Sequence, residues 1–98
     1  MFVTTHPEAL SMAAGALSAI GSGVNSQNAA AATPTTAILP PAADEVSALI
    51  TAQFVAHAHL YQSISAHAAA IHEMFVNTLG TSAGSYAATE AANAVATG

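Results

Sequence analysis

The sequence predicts an all-α fold: an antiparallel two-helix hairpin that completes a helical bundle with a partner protein. Three observations carry this. Two alanine-rich segments place apolar residues three and four positions apart, the period of an amphipathic helix. A proline-bearing stretch separates them. The apolar stripe of the second segment spans roughly 160° of a helix circumference, against the ~100° that one packed neighbour usually needs.

Composition bounds the rest. The chain has 98 residues, at most one small domain, and such chains are often marginal alone. It has no cysteine, which rules out disulfides and thiolate metal sites. It has no Lys and no Arg and a formal charge of -5. Nucleic-acid binding needs cations to displace phosphate counterions, so no nucleic-acid partner is expected. A polybasic membrane patch and the positive n-region of a Sec-type signal peptide are excluded for the same reason. No uninterrupted apolar run reaches the ~20 residues of a membrane span. The hydrophobic content of 53% argues for a folded chain. Much of it is alanine, which favours helix but fills little core volume.

The elements follow in order. Met1 to Thr4 is a short lead-in. Thr5-His6-Pro7-Glu8 has the form of a capping box: Thr5 accepts from the backbone N–H of Glu8, whose carboxylate reaches back to the N–H of Thr5. Pro7 fits a first turn, where the N–H has no intrahelical acceptor. The first helix should run from about His6 to about Ala31, with Leu10, Ala13, Ala14, Leu17, Ile20, Val24 and Ala31 on one side. Gly21 on that stripe lets another backbone approach closely. Ala32 to Pro41 is the connector, because the residue before Pro34 is pushed out of the α region. Within it, Ile38-Leu39-Pro40-Pro41 is apolar and stiff, and should lie against the helices or a partner.

The second helix should begin near Ala42, with Asp44 and Glu45 in a first turn that suits the helix dipole. It should end near Leu79, with Gly80 as a left-handed C-cap. Its stripe comprises Val46, Leu49, Ile50, Phe54, Leu60, Tyr61, Ile64, Ile71, Met74, Phe75 and Leu79. Apolar surface left in water costs about 25 cal/mol per Å², so a second protein should cover what the shorter helix cannot. Thr81 to Gly98 is Ala, Ser, Thr, Gly and Asn around Tyr86 and Glu90, and reads as a mobile tail with at most a frayed helical turn. The organisation is thus a hairpin over residues 1–80 and a flexible tail over residues 81–98.

No catalytic or metal chemistry emerges. His72-Glu73 opens a His-Glu-x-x-His pattern, but position 76 is Val. His57 and His59 fall about 160° apart on a helix, and His67 and His72 converge poorly, whereas a metal needs three or four convergent ligands. No nucleophile elbow or phosphate loop is present. A two-helix hairpin offers no enclosed pocket, so no enzyme activity, cofactor or direct small-molecule ligand is expected. His57 sits in the stripe beside Gln53. It is either a hydrogen-bonded interface histidine that sets register or one whose protonation loosens the interface. Tyr86 and Glu90, four apart, share one face of a helical turn; in a coil the same Tyr is a chance occurrence.

In combination these residues resemble the mycobacterial PE family over essentially the whole chain. The resemblance rests on Pro7-Glu8, the Ala-rich first helix, Pro40-Pro41-Ala42-Ala43-Asp44-Glu45-Val46-Ser47, and Ser82-Ala83-Gly84-Ser85-Tyr86-Ala87-Ala88-Thr89-Glu90. It implies a helical hairpin that pairs with a PPE-family protein as a heterodimer and leaves the cell through a type VII secretion system. It also implies that Tyr86 and Glu90 fall on the Tyr-x-x-x-Asp/Glu export signal read by that machinery. Thr5, Pro7 and Glu8 become the family motif and helix cap. Leu49, Ile50, Phe54, His57, Leu60, Tyr61, Ile64, Ile71 and Phe75 become the partner interface. The expected location is secreted or cell-surface, without a cleavable Sec signal peptide. The alternatives are a membrane- or envelope-associated amphipathic protein, or the N-terminal targeting domain of a longer PE protein. Interfacial helices usually carry basic residues, which this chain lacks.

Overall fold

A computed structural model describes residues 3–98 and consists of two α-helices packed against each other, α1 (Pro7–Thr36) and α2 (Glu45–Thr97). The first two residues of the expected lead-in, Met1 and Phe2, lie outside the described residues. The chain divides into two compact units: Met1–Gly21 with Ile71–Gly98, and Ser22–Ala70. In the first, Thr5 meets Glu90 and Leu17 meets His72, so the helices run antiparallel. In the second, Asn28 meets Tyr61 and Gln62 across the two helices.

Helix boundaries depart from the sequence expectation at four points. The first is the start of α1. The backbone N–H groups of Ala9 and Leu10 both donate to the carbonyl of His6, at 3.0 and 3.2 Å. His6 is therefore the cap residue and Pro7 the first helical one. Thr5 stands one position too early for the expected capping box with Glu8, and its hydroxyl bonds to Glu90 instead.

The second is the end of α1, which continues past Ala31 and carries Pro34 inside its last turn. Pro34 forfeits the N–H that would reach the Ala30 carbonyl. The threonines around it support the turn. Thr35 Oγ1 donates to the Ala31 carbonyl (2.6 Å), Thr36 Oγ1 to the Ala32 carbonyl (2.7 Å), and the Ala37 N–H to the Thr33 carbonyl (3.0 Å).

The third is the start of α2. Asp44 precedes the helix as its N-cap: Oδ1 accepts from the Ser47 N–H at 2.8 Å and Oδ2 from the Ser47 hydroxyl at 3.1 Å. These bonds favour the charged form. The Ser47 backbone N–H first, then the Ser47 hydroxyl, hold the Asp44 carboxyl below its ordinary value.

The fourth is the end of α2. The helix runs through Gly80 and Gly84 to Thr97, and among the described residues no glycine adopts positive φ. Two causes combine. Residues 87–96 are rich in alanine, the best helix former. Ala83, three residues beyond Gly80, is 1% exposed, and its packing offsets part of the cost of about 1 kcal/mol for each of the two glycines inside the helix.

The side of α2 turned inward follows a repeat. Thr51, Val55, Ala58, Gln62, Ser65, Ala69, His72, Val76, Leu79 and Ala83 are each buried or half-buried, and their spacing alternates strictly between three and four. That is the 3.5-residue seam of helices packed side by side. On α1 the matching positions are Pro7, Leu10, Ala14, Leu17, Gly21, Asn28 and Ala31. Small and polar side chains predominate in both seams, with Leu10 and Leu17 on α1 and Val55, Val76 and Leu79 on α2 as the larger apolar members. Ile20 and Val24, expected on the inner stripe of the first helix, are 59% and 51% exposed.

Candidate interaction surface

Most of the large apolar side chains of α2 lie beside the seam, and only Val55, Val76 and Leu79 among the described residues lie on it. In the unit Ser22–Ala70, Val46, Leu49, Ile50, Phe54, Leu60, Tyr61 and Ile64 are exposed; in the other unit, Ile71, Met74 and Phe75 are. Of the expected stripe only Leu79 is half-buried, as a member of the seam. The first helix was expected to cover part of this stripe. It packs on the adjoining, small-residue side, because alanine, serine and glycine allow helices to approach closely.

Two open grooves shape the apolar face within the unit Ser22–Ala70. One, of about 570 Å³, is lined by Leu49, Ile50, Gln53, Phe54 and His57. The other, of about 360 Å³, brings Asn28, Ala31, Thr35 and Ile38 together with Phe54, His57, Ala58, Tyr61 and Gln62. His57 and Phe54 border both grooves. His57 is exposed, and the structure leaves its imidazole outside the seam. Ile38 of the connector joins the second groove, as expected of an apolar loop, whereas Leu39 is 83% exposed.

Polar bonds hold the rim of the second groove. Tyr61 donates its hydroxyl to Asn28 Oδ1 at 2.7 Å, and Gln62 Nε2 donates to the Asn28 carbonyl at 3.1 Å. The Tyr61 ring is thereby fixed with its hydroxyl satisfied inside the chain, and its face is left for apolar contact. Asn28 and Gln62 are polar, so a stripe of large apolar residues does not mark them. The strict three-four spacing of small and polar positions is the signal that marks them.

In the unit containing both chain ends, His72 Nε2 lies 2.6 Å from the Leu17 carbonyl. A carbonyl only accepts, so the proton of this imidazole sits on Nε2. Tyr86 and Glu90 continue the seam spacing beyond Ala83, by three and then four residues. Tyr86 is 47% exposed and Glu90 is half-buried. Thr5 Oγ1 donates to Glu90 Oε1 at 3.0 Å. Beside Tyr86, Thr81, Ser82, Ser85, Tyr86 and Thr89 line a hydroxyl-rich groove of about 340 Å³. The sequence reading paired Thr5 with Glu8; the structure joins Thr5 to Glu90 instead. His6 Nδ1 lies 3.9 Å from Glu8 Oε1, and both side chains are exposed.

Among the described residues no three His, Asp or Glu side chains gather as a metal site, and no helix is long and apolar enough to cross a membrane.

Comparison with known proteins finds relatives along nearly the whole chain. The chain is 62% identical over 95 residues to the PE family protein PE13 of Mycobacterium tuberculosis, covering 97% of this chain and 96% of PE13. It is 57% identical to PE8 of the same organism, but spans only 34% of that protein. It is likewise 57% identical to the PE-PGRS family protein PE_PGRS33, of which it spans 20%. These relatives indicate no enzymatic family. The model of the PE family matches residues 3–93, and the chain belongs to that family.

Proposed function

We propose that this chain is a non-catalytic, secreted subunit that pairs with a PPE-family protein and carries the type VII export signal at Tyr86 and Glu90. One observation carries the pairing: most of the large apolar side chains of α2, Phe54, Tyr61 and Phe75 among them, lie outside the intramolecular seam. The accessible surface is 7236 Å². A self-sufficient folded chain of this mass exposes roughly 5,100 Å². The difference is on the scale of a stable protein–protein interface. Phe54, Tyr61 and Phe75 are the kind of aromatic anchor that dominates such interfaces. Membership of the PE family supports the choice of a PPE protein and of the export route.

The family match and the acidic, cation-free composition fit a protein groove better than a lipid surface. A second reading is supported by PE8 and PE_PGRS33, whose lengths this chain covers only in part. On that reading the hairpin is the N-terminal targeting domain of a longer PE protein.

The test is co-expression with PPE-family proteins, followed by size exclusion and fractionation of a secreting mycobacterial strain. A stable 1:1 helical complex recovered outside the cell is expected. Elution of the chain separately from every one of them defeats the pairing. Retention of the intact complex inside a strain with working type VII secretion defeats the export assignment.

A further inference from the structure

Glu90 is not presented on a free tail. It occupies the last half-buried step of the α2 seam, and its Oε1 accepts from a residue 85 positions earlier in the chain. Thr5 lies just before α1 and uses its hydroxyl across the unit instead of capping its own helix. We propose that Thr5 is a positioning residue for Glu90, so that the segment before α1 and the end of α2 are recognised as one surface. This rests on the reading of Tyr86 and Glu90 as the export signal.

The chemistry is specific. A glutamate side chain on an exposed helix samples several rotamers, and a donor at 3.0 Å selects among them. With Oε1 taken by the threonine hydroxyl, Oε2 is left to meet an outside donor. The chain contains no Lys or Arg, so a cationic group complementary to this carboxylate comes from the reader. Tyr86, one turn earlier on the same face and half exposed, offers its ring beside that cation. The recognised feature is therefore a carboxylate and an aromatic ring held in fixed relation by Thr5, and the reader is a protein surface bearing an Arg or Lys.

The experiment is export of the full chain with its PPE partner from a secreting mycobacterial strain. The variants are Thr5→Val, Thr5→Ser, Glu90→Gln, Glu90→Ala and Tyr86→Ala, each with a melting curve of its purified complex. Thr5→Val removes the donor at nearly constant volume. It should lower export on the order of fivefold or more, as expected for loss of a hydrogen bond to a charged group. Thr5→Ser should restore export, which a purely steric role for Thr5 does not explain. Glu90→Gln keeps an acceptor for Thr5 but removes the charge, and should also lower export. Wild-type export of Thr5→Val while Glu90→Ala is blocked overturns the positioning role and leaves the signal intact. Wild-type export of Glu90→Gln overturns the cationic reader. Wild-type export of both Tyr86→Ala and Glu90→Ala overturns the signal itself. A fall in export for Thr5→Val that merely follows a lowered melting temperature, without rescue by Thr5→Ser, also overturns the positioning role.

Discussion

The imidazole of His72 fills the space that a side chain at position 21 would need. A Cβ built on Gly21 would stand 2.7 Å from His72 Cδ2 and 2.9 Å from Nε2. The ring cannot simply swing away, because its Nε2–H is committed to the Leu17 carbonyl at 2.6 Å. Glycine at 21 and histidine at 72 thus set the register of α1 on α2 in this unit. The glycine supplies the room and the histidine supplies the bond.

Gly21→Ala should therefore destabilise the protein by about 1–3 kcal/mol, the usual cost of overpacking. Gly80→Ala should do the reverse. A Cβ there meets nothing within 4 Å, and alanine in a helix gains up to about 1 kcal/mol over glycine. Thermal melting of the partner complex checks the pair. Equal shifts of the same sign would show that the seam does not pass through Gly21.

Partner binding should depend on the exposed flank of α2. Phe54→Ala and Ile64→Ala should each weaken it by at least about 2 kcal/mol, within the range for truncation at packed positions. Ser63→Ala and Glu73→Ala should change it by less than about 0.5 kcal/mol, because both lie on the polar flank across the seam. Titration calorimetry with the partner distinguishes the two sets. Similar losses at all four positions would put the interface on another face.

Acid should loosen the start of α2. The native carboxyl of Asp44 titrates below its ordinary value because Ser47 bonds to its charged form. A group depressed in this way stabilises the fold fully above the unfolded-state value, ~3.9 for Asp. That contribution is lost as the pH falls through the lowered native value. Asp44→Asn keeps a good N-cap that does not titrate. Protection of the Val46, Ser47 and Ala48 amides, measured relative to their intrinsic exchange rates at each pH, should therefore fall with acidification below about pH 4 in the parent and much less in Asp44→Asn. Identical acid profiles would remove Asp44 as the titrating cap.

Without its partner the chain should self-associate as its concentration rises. Phe54, Ile64, Ile71 and Phe75 are all exposed, and the inner seam is mostly small side chains that supply little burial. Sedimentation velocity across a dilution series is the measurement. A single monomeric species with a sharp melting transition would mean that the seam suffices alone.

The sequence by itself determined the helical class, the hairpin, the absence of Lys and Arg, and most of the apolar residues that α2 leaves exposed. These are local properties: spacing, proline position and charge count. Membership of the PE family was legible as well, and the family model covers residues 3–93. Only the tertiary structure decided which face α1 covers. Hydrophobicity marked Leu49, Phe54 and Ile64, but close approach of two helices selects for small side chains, so Ala58, Ser65 and Ala69 took the seam. It also decided where α2 ends. Gly80 reads locally as a stop, and burial of Ala83 against the rest of its unit helps carry the helix onward. The bond from Thr5 to Glu90 was illegible for a related reason. Its partners are 85 residues apart, and Thr5 had a plausible local acceptor role that neighbouring positions satisfied equally well on paper. A hydroxyl can serve its own helix or a distant carboxylate, and only the fold that sets Thr5 beside Glu90 makes the choice.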